Sequence, residues 1–242
     1  FISIINIVFS PVMQKVLMTQ MQELQYAFTT WDELAVHLGV SSASIFVVLI
    51  ISICFLPIVR HALQKEYLHI LLCKPLSIFI YLLAMFTAFI MSLAVLILFW
   101  WLFVAATVAI HTDRFVFGSI VNFFALFVFS TLVLLLFMFF FSATRDFLAS
   151  IFTILFTLGT VVIMDPSLGS VFSSSSNGFI RMPYEWFKLL FSPFSDWVAL
   201  AFNPEAGLDT AMLWGKTAAL IFLLGMSAAF RFKHTIEKVE LS

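Results

Sequence analysis

The chain has 242 residues, of which 63% are hydrophobic, 17% aromatic and only 10% charged, with a formal net charge of −1 and a mean hydropathy of +1.12. A soluble domain is about 45–50% apolar and about 25% charged, so a water-facing globular surface is excluded and most of this surface must meet lipid. No basic cluster that would neutralise phosphates is present, which argues against nucleic acid, and Cys54 and Cys73 form no CxxC pair, disulfide framework or zinc site.

A helix needs about 20 apolar residues to cross a bilayer, because hydrocarbon offers no partner for an open backbone group. On that rule the chain reads as an all-α integral membrane protein, one transmembrane domain over 1–242 with six spans. The first is short, Phe1 to about Ser10, and begins inside an apolar run, so native sequence is expected upstream. Between Pro11 and Phe28, Met13, Val16, Leu17, Met21, Leu24 and Phe28 recur at helical spacing opposite Gln14, Lys15, Gln22 and Glu23. That pattern predicts an amphipathic helix lying in the interface. Thr30-Trp31-Asp32-Glu33 reads as a capping box, and Gly39 as the stop of the short helix it starts.

The second span is expected over Ala43–Val59. It is followed by Arg60–Ser77, where Leu63, Tyr67, Ile70 and Leu71 form one stripe and His61, Gln64, Lys65 and His69 lie elsewhere. Pro75 ends this short helix. Such a helix either inserts into a groove on a cytoplasmic partner or lies flat on the inner leaflet. The third span, Ile78–Ile110, is longer than a crossing requires and should tilt or project. The fourth covers Phe115–Phe141 and the fifth Phe147–Met164. The segment Asp165–Asp209 carries the serine run Ser173–Ser176 and then Tyr184, Trp186, Phe187, Phe191, Phe194 and Trp197. Amphipathic aromatics favour the headgroup level, so one or two short external helices are expected there, broken by Pro193 and Pro204. They anchor the chain, or they form a cap that touches substrate or an extracytoplasmic partner. The sixth span is expected over Ala211–Phe230, with Lys216 near its outer end snorkelling outward.

Arg60, Lys65, Lys74, Arg145, Arg231, Lys233 and Lys238 fall on one side of these spans, and they are the majority of the 12 basic residues. The bias places both termini in the cytoplasm.

Motifs for chemistry are missing. There is no HExxH, no GxSxG and no carboxylate pair on one helical face. Gly215-Lys216-Thr217 resembles the end of a phosphate loop, but the required earlier glycine is Thr210 and the segment lies in a span. His37, His61, His69, His111 and His234 include no i, i+4 pair, and they read as interfacial or solvated side chains rather than metal ligands. The predicted spans hold no Asp or Glu. Ion-coupled carriers keep ionisable groups at membrane depth, so the charge census points to a subunit energised from outside the membrane.

The run from Gln64 to Leu83 resembles a signature of the type-2 ABC exporter permeases. There an acidic, glycine-containing helix start leads into a leucine-rich run, then Pro-hydrophobic-Ser-Arg, then the third span. Leu68, Leu71, Leu72, Pro75, Leu76, Ser77, Leu82 and Leu83 match the pattern. The ending Phe222–Lys233 is similar to the family's last span and basic exit, and the resemblance covers the whole chain. Departures are Gln64 in place of an acid, Glu66 in place of glycine, Ile78 in place of arginine and Met85 in place of lysine. They fit either lineage drift or one member of a non-identical permease pair.

The resemblance implies a permease in the cytoplasmic (inner) membrane of a prokaryote, with both termini inside. It implies a second permease chain, identical or related, that completes the pathway, and separate cytoplasmic ATPase subunits that bind the ATP and Mg. This chain itself would hold no catalytic, cofactor or metal residue. Gln64, Lys65, Glu66, Tyr67, Leu68, Leu71 and Leu72 would form the coupling helix against the ATPase. The alternatives are an ion-coupled carrier or channel, and a membrane scaffold that passes nothing.

Overall fold

The computed structural model describes residues 31–62, 78–113, 115–144, 147–163, 178–202 and 209–240. These are helical throughout, with no strand among the described residues. The helices are α1 (Trp31–Leu49), a π turn (Ile50–Cys54), α2 (Phe55–Ala62), α3 (Ile78–Thr112), α4 (Ile120–Thr144, entered through the tight turn Phe117–Ser119), α5 (Leu148–Ile163), α6 (Gly178–Phe202) and α7 (Thr210–Glu240).

Four helical stretches are long and apolar enough to cross a membrane, and α5 holds a shorter apolar helix. The four overlap the predicted second, third, fourth and sixth spans, the shorter apolar helix Leu148–Thr160 lies within the predicted fifth, and the first span and the interfacial helix at Pro11–Phe28 lie outside the described residues. Large apolar side chains point outward along these helices: Ile45, Leu49 and Ile53 on the α1 stretch, Met91, Val95 and Phe99 on α3, Phe222 and Phe230 on α7. A water-soluble surface does not carry such continuous apolar faces. The protein is membrane-embedded.

Helix α4 is the axis of the bundle. Of its apolar window 72% is buried inside the protein, against 33% for α3 and 28% for α7. It packs on α1, α3, α5, α6 and α7. An all-round Phe and Leu surface suits a helix with protein on every side.

Helix α5 is built inside out. Ser150, Thr153, Thr157 and Thr160, spaced three, four and three apart, are buried, while Leu148, Ile151, Phe152, Leu155 and Leu158 are exposed. Thr153 and Thr160 donate to the carbonyls of Ala149 and Phe156 one turn back. Ser150 donates instead across to the carbonyl of Ser52 in the π turn. Small hydroxyl side chains at a membrane helix interface allow close approach and supply their own hydrogen bonds.

The predicted stop at Gly39 does not occur. The outer helix and the second span form one continuous rod from Trp31 to Ala62, and Gly39 serves packing instead. A Cβ built there would lie 2.6 Å from Val104 Cγ2 of α3, so the missing side chain sets how closely α1 and α3 approach. In the lower part of the rod the buried residues Val47, Ile51, Phe55 and Val59 fall four apart, wider than the α-helical 3.6. The π turn absorbs the difference, because its wider loop takes up an extra residue and returns the same face to the core. Phe55 then stacks on Phe89 of α3 with ring centroids 4.5 Å apart.

Local chemistry sets two of the ends. Asp113 follows α3 with φ 54°, and its amide donates 3.0 Å to the carbonyl of Ala109, a left-handed stop of the kind Asp tolerates. Asp209 opens α7, its Oδ1 accepting from the amides of Ala211 at 3.1 Å and Met212 at 3.3 Å.

Replacing Gly39 with Leu should destabilise the α1–α3 contact by about 1–3 kcal/mol. The check is thermal unfolding of the purified protein in detergent. Adding Val104→Ala should recover part of the loss, and an unchanged midpoint in the single variant would remove the close-packing role.

Candidate functional site

The predicted coupling residues Gln64, Lys65, Glu66, Tyr67, Leu68, Leu71 and Leu72 lie outside the described residues, as do His69, Cys73 and Pro204. The described chain brackets them. Helix α2 ends at Ala62 and α3 resumes at Ile78, and Phe55 and Phe89 clasp the two helices.

The polar chemistry of the described bundle gathers on α6 and α7. The sequence predicts short helices within Asp165–Asp209 broken at Pro193, and that break does not occur. Helix α6 runs unbroken for 25 residues through Pro193 and packs on α4, α5 and α7. Phe194 is 0% exposed and Trp197 4%, so these aromatics are core rather than headgroup anchors. The physical reason is lateral support. A proline costs one backbone hydrogen bond and a local clash, and a helix enclosed by neighbours can tolerate both. Phe194 meets Phe129 of α4 edge-on at 6.4 Å, and Phe191 meets Phe156 of α5 at 4.7 Å.

Three polar links tie α6 to its neighbours. Asn122 at the start of α4 donates 2.8 Å to the carbonyl of Ala201. The Trp197 indole donates 2.8 Å to Thr217 Oγ1, which itself donates back to the Leu213 carbonyl. Lys216 Nζ donates 3.3 Å to Ser192 Oγ. Lys216 is half-buried, with its ammonium against α6. Because Lys216 and Thr217 lie on a helix and engage side chains of α6, Gly215-Lys216-Thr217 forms no phosphate loop.

Asp196 completes the node. It lies one turn after Ser192 on the same helix. Ser192 thus stands between an acid on its own helix and a lysine on the next. The helix carrying Asp196 is not among those long and apolar enough to cross a membrane. Burial pushes the Asp196 carboxyl above the ordinary carboxylate range, while Lys216, the Ser192 hydroxyl and Lys188, in that order, pull it back down. The charge census missed this residue because Asp196 sits in a stretch that also holds Arg181, Glu185 and Lys188 and so reads as water-facing. The detectable signal was its position: Ser192, Asp196 and the buried Trp197 fall on one helical face.

At the other end of the bundle Arg231 lies 4.9 Å from the centre of the Phe139 ring, a cation–π contact. Nearby, α3, α4 and α7 leave a cavity of about 400 Å³ lined by residues such as Leu83, Phe86, Met138, Phe222 and Gly225. Its lining is apolar and can accept hydrocarbon but cannot orient a polar ligand.

No group of three His, Cys, Asp or Glu side chains that could hold a metal occurs among the described residues. His37 packs on Phe202 with ring centroids 4.6 Å apart, and the exposed His111 is hydrogen-bonded to the Thr107 carbonyl at 2.8 Å.

A double-mutant cycle of Trp197→Phe and Thr217→Val should give a coupling of about 0.6–1.7 kcal/mol, the range of hydrogen bonds between membrane helices. It is read from unfolding in detergent, and additive losses would show that the two side chains do not act as a pair.

The chain matches no protein-family model, no curated protein and no solved structure.

Proposed function

We propose that this chain is the transmembrane permease subunit of an ABC-type exporter, driven by a separate cytoplasmic ATPase and paired with a second permease chain. The observation that carries the reading is the Gln64–Leu83 run, which has the leucine-rich helix, Pro75-Leu76-Ser77 and a following span in the order of the type-2 exporter permeases. Its position supports the reading. It joins two apolar helices on the side of the membrane that collects Arg60, Lys65, Lys74 and Arg231, the side expected to be cytoplasmic.

The bundle suits energy delivered from outside. A push on the 63–77 connection would enter α2 and α3 together, because Phe55 and Phe89 are stacked and Val59 is fully buried beside them. From there it would pass through closely packed apolar side chains, which transmit displacement rather than deform. ATP and Mg would be bound by the ATPase, and the work would be rigid-body motion of helices around α4. The apolar lining between α3, α4 and α7 fits an amphiphilic or lipid-like cargo better than a charged one. On this reading the Asn122–Ala201 end of the bundle faces away from the cytoplasm.

A second reading, the ion-coupled carrier, is favoured by one observation, the Asp196–Ser192–Lys216 node. A half-buried acid packed near a lysine of the next helix is a common mark of a functional site.

The test is affinity purification of the full-length, detergent-solubilised protein from its native host, scored for a co-purifying ATPase. Recovery of a nucleotide-binding subunit is expected. Replacing Tyr67, Leu68 and Leu71 with Ala should abolish its recovery while membrane insertion stays unchanged. Unaltered recovery in the triple variant would overturn the coupling-helix assignment, and a preparation without any ATPase would favour the ion-coupled carrier.

A further inference from the structure

The cavity between α3, α4 and α7 is a groove rather than a closed void. Its floor, Leu135 and Met138 of α4 and Phe232 of α7, is buried, while Leu83, Phe222 and Met226 on its rim are more than half exposed. Phe222 and Phe232 lie ten residues apart on α7, a rise of about 15 Å. The hydrocarbon core of a bilayer is about 30 Å thick, so the groove runs the depth of one leaflet. Its volume of about 400 Å³ falls in the range of pockets that take small ligands. Gly225 lies within it, and a Cβ built there would meet no atom of the described residues within 4 Å. The missing side chain widens the groove and serves no contact with a described helix.

A cation stands at one end. The membrane-spanning stretch of α3 starts at Leu83 and that of α7 ends at Phe232, and both residues line the groove, which therefore opens at the edge of the hydrocarbon. There Arg231, next to Phe232, is exposed and lies against the ring of Phe139, next to Met138. A cation–π contact fixes the guanidinium and leaves N–H donors for oxygen acceptors. No carboxylate of the described residues pairs with it.

We propose that the groove seats one acyl chain of an anionic phospholipid whose phosphate is held by Arg231. The apolar lining alone does not retain such a lipid. A chain that leaves bulk lipid for the groove exchanges one hydrocarbon surrounding for another, with no hydrophobic gain. The headgroup contact therefore decides which lipid stays. Arg231 favours a headgroup with net negative charge over one whose phosphate is already answered by its own choline. The assignment rests on the chain being embedded in a bilayer and not on the exporter reading, and it concerns a bound lipid rather than a transported one.

The test is native mass spectrometry of the purified full chain, titrated with phosphatidylglycerol or with phosphatidylcholine of matched acyl chains. The first phosphatidylglycerol should bind about fivefold more tightly than the first phosphatidylcholine, the gain expected from one arginine beside an anionic headgroup. Arg231→Gln should erase most of that preference and leave phosphatidylcholine binding unchanged. Gly225→Leu should abolish tight binding of both lipids by occupying the groove, without lowering the unfolding midpoint in lipid-free detergent. Equal affinities for the two lipids in the parent chain, or unaltered lipid binding in either variant, overturn the assignment. A dimer that Gly225→Leu converts to monomer gives the groove to a second copy. A Gly225→Leu chain that melts lower or fails to fold gives it to a further segment of this chain, and either result overturns the lipid.

Discussion

Hydrocarbon accepts no hydrogen bond, and nearly every feature of this bundle answers to that constraint. Backbone groups are closed within helices, and most buried side-chain hydroxyls bond one turn back or reach a neighbouring helix, Ser52 and Thr157 being the exceptions among the described residues. Polarity therefore accumulates inside. Helix α5 turns four hydroxyls inward and its leucines outward, the reverse of a soluble amphipathic helix. Helix α4 has protein on all sides and carries apolar side chains all round, interrupted by Asn122, Ser130 and Ser142, which are each hydrogen-bonded to a carbonyl. Where the polar group is charged, a second helix must answer it, and α6 and α7 do so through Lys216 and Ser192.

The bundle consequently has two ends of different character. Around Asn122, Trp197 and Lys216, helices are joined by side-chain hydrogen bonds with definite donors and acceptors. Around Phe55, Phe89, Phe141 and Phe232, they are joined mainly by ring contacts, with the Ser150–Ser52 hydrogen bond and the Arg231–Phe139 contact beside them. Directional bonds resist sliding and rotation, whereas ring contacts resist separation but tolerate small displacements. An exporter driven from the cytoplasmic side would place its mobile contacts where the second kind prevails and its closure where the first kind does.

Much of this was legible from residue order. Apolar runs of sufficient length marked the described spans to within a few residues at most ends, because the requirement for about 20 apolar residues is imposed by the solvent and not by tertiary contacts. Two kinds of position resisted. Gly39 and Pro193 carry strong local punctuation, yet both sit inside helices because neighbours override propensity: Val104 occupies the space a side chain at 39 would need, and α4, α5 and α7 enclose α6. Asp196 resisted for the opposite reason. Its stretch is mixed in charge and looks solvated, and only the packing of Phe194 and Trp197 beside it reveals that the helix turns inward. The candidate node depends on residues 24 apart on different helices, a pairing that no local pattern encodes.

The π turn at Ile50–Cys54 has a consequence for comparing this chain with others. Its buried face keeps a spacing of four from Val47 to Val59 because one extra residue is stored in the turn. A relative with a plain α-helix there would bury the same side chains with one residue fewer. Aligning the two would demand a one-residue gap in the middle of a membrane span, where gaps are ordinarily refused. The honest alignment of α1 and α2 would then follow the core-facing side chains rather than the count of residues between loops.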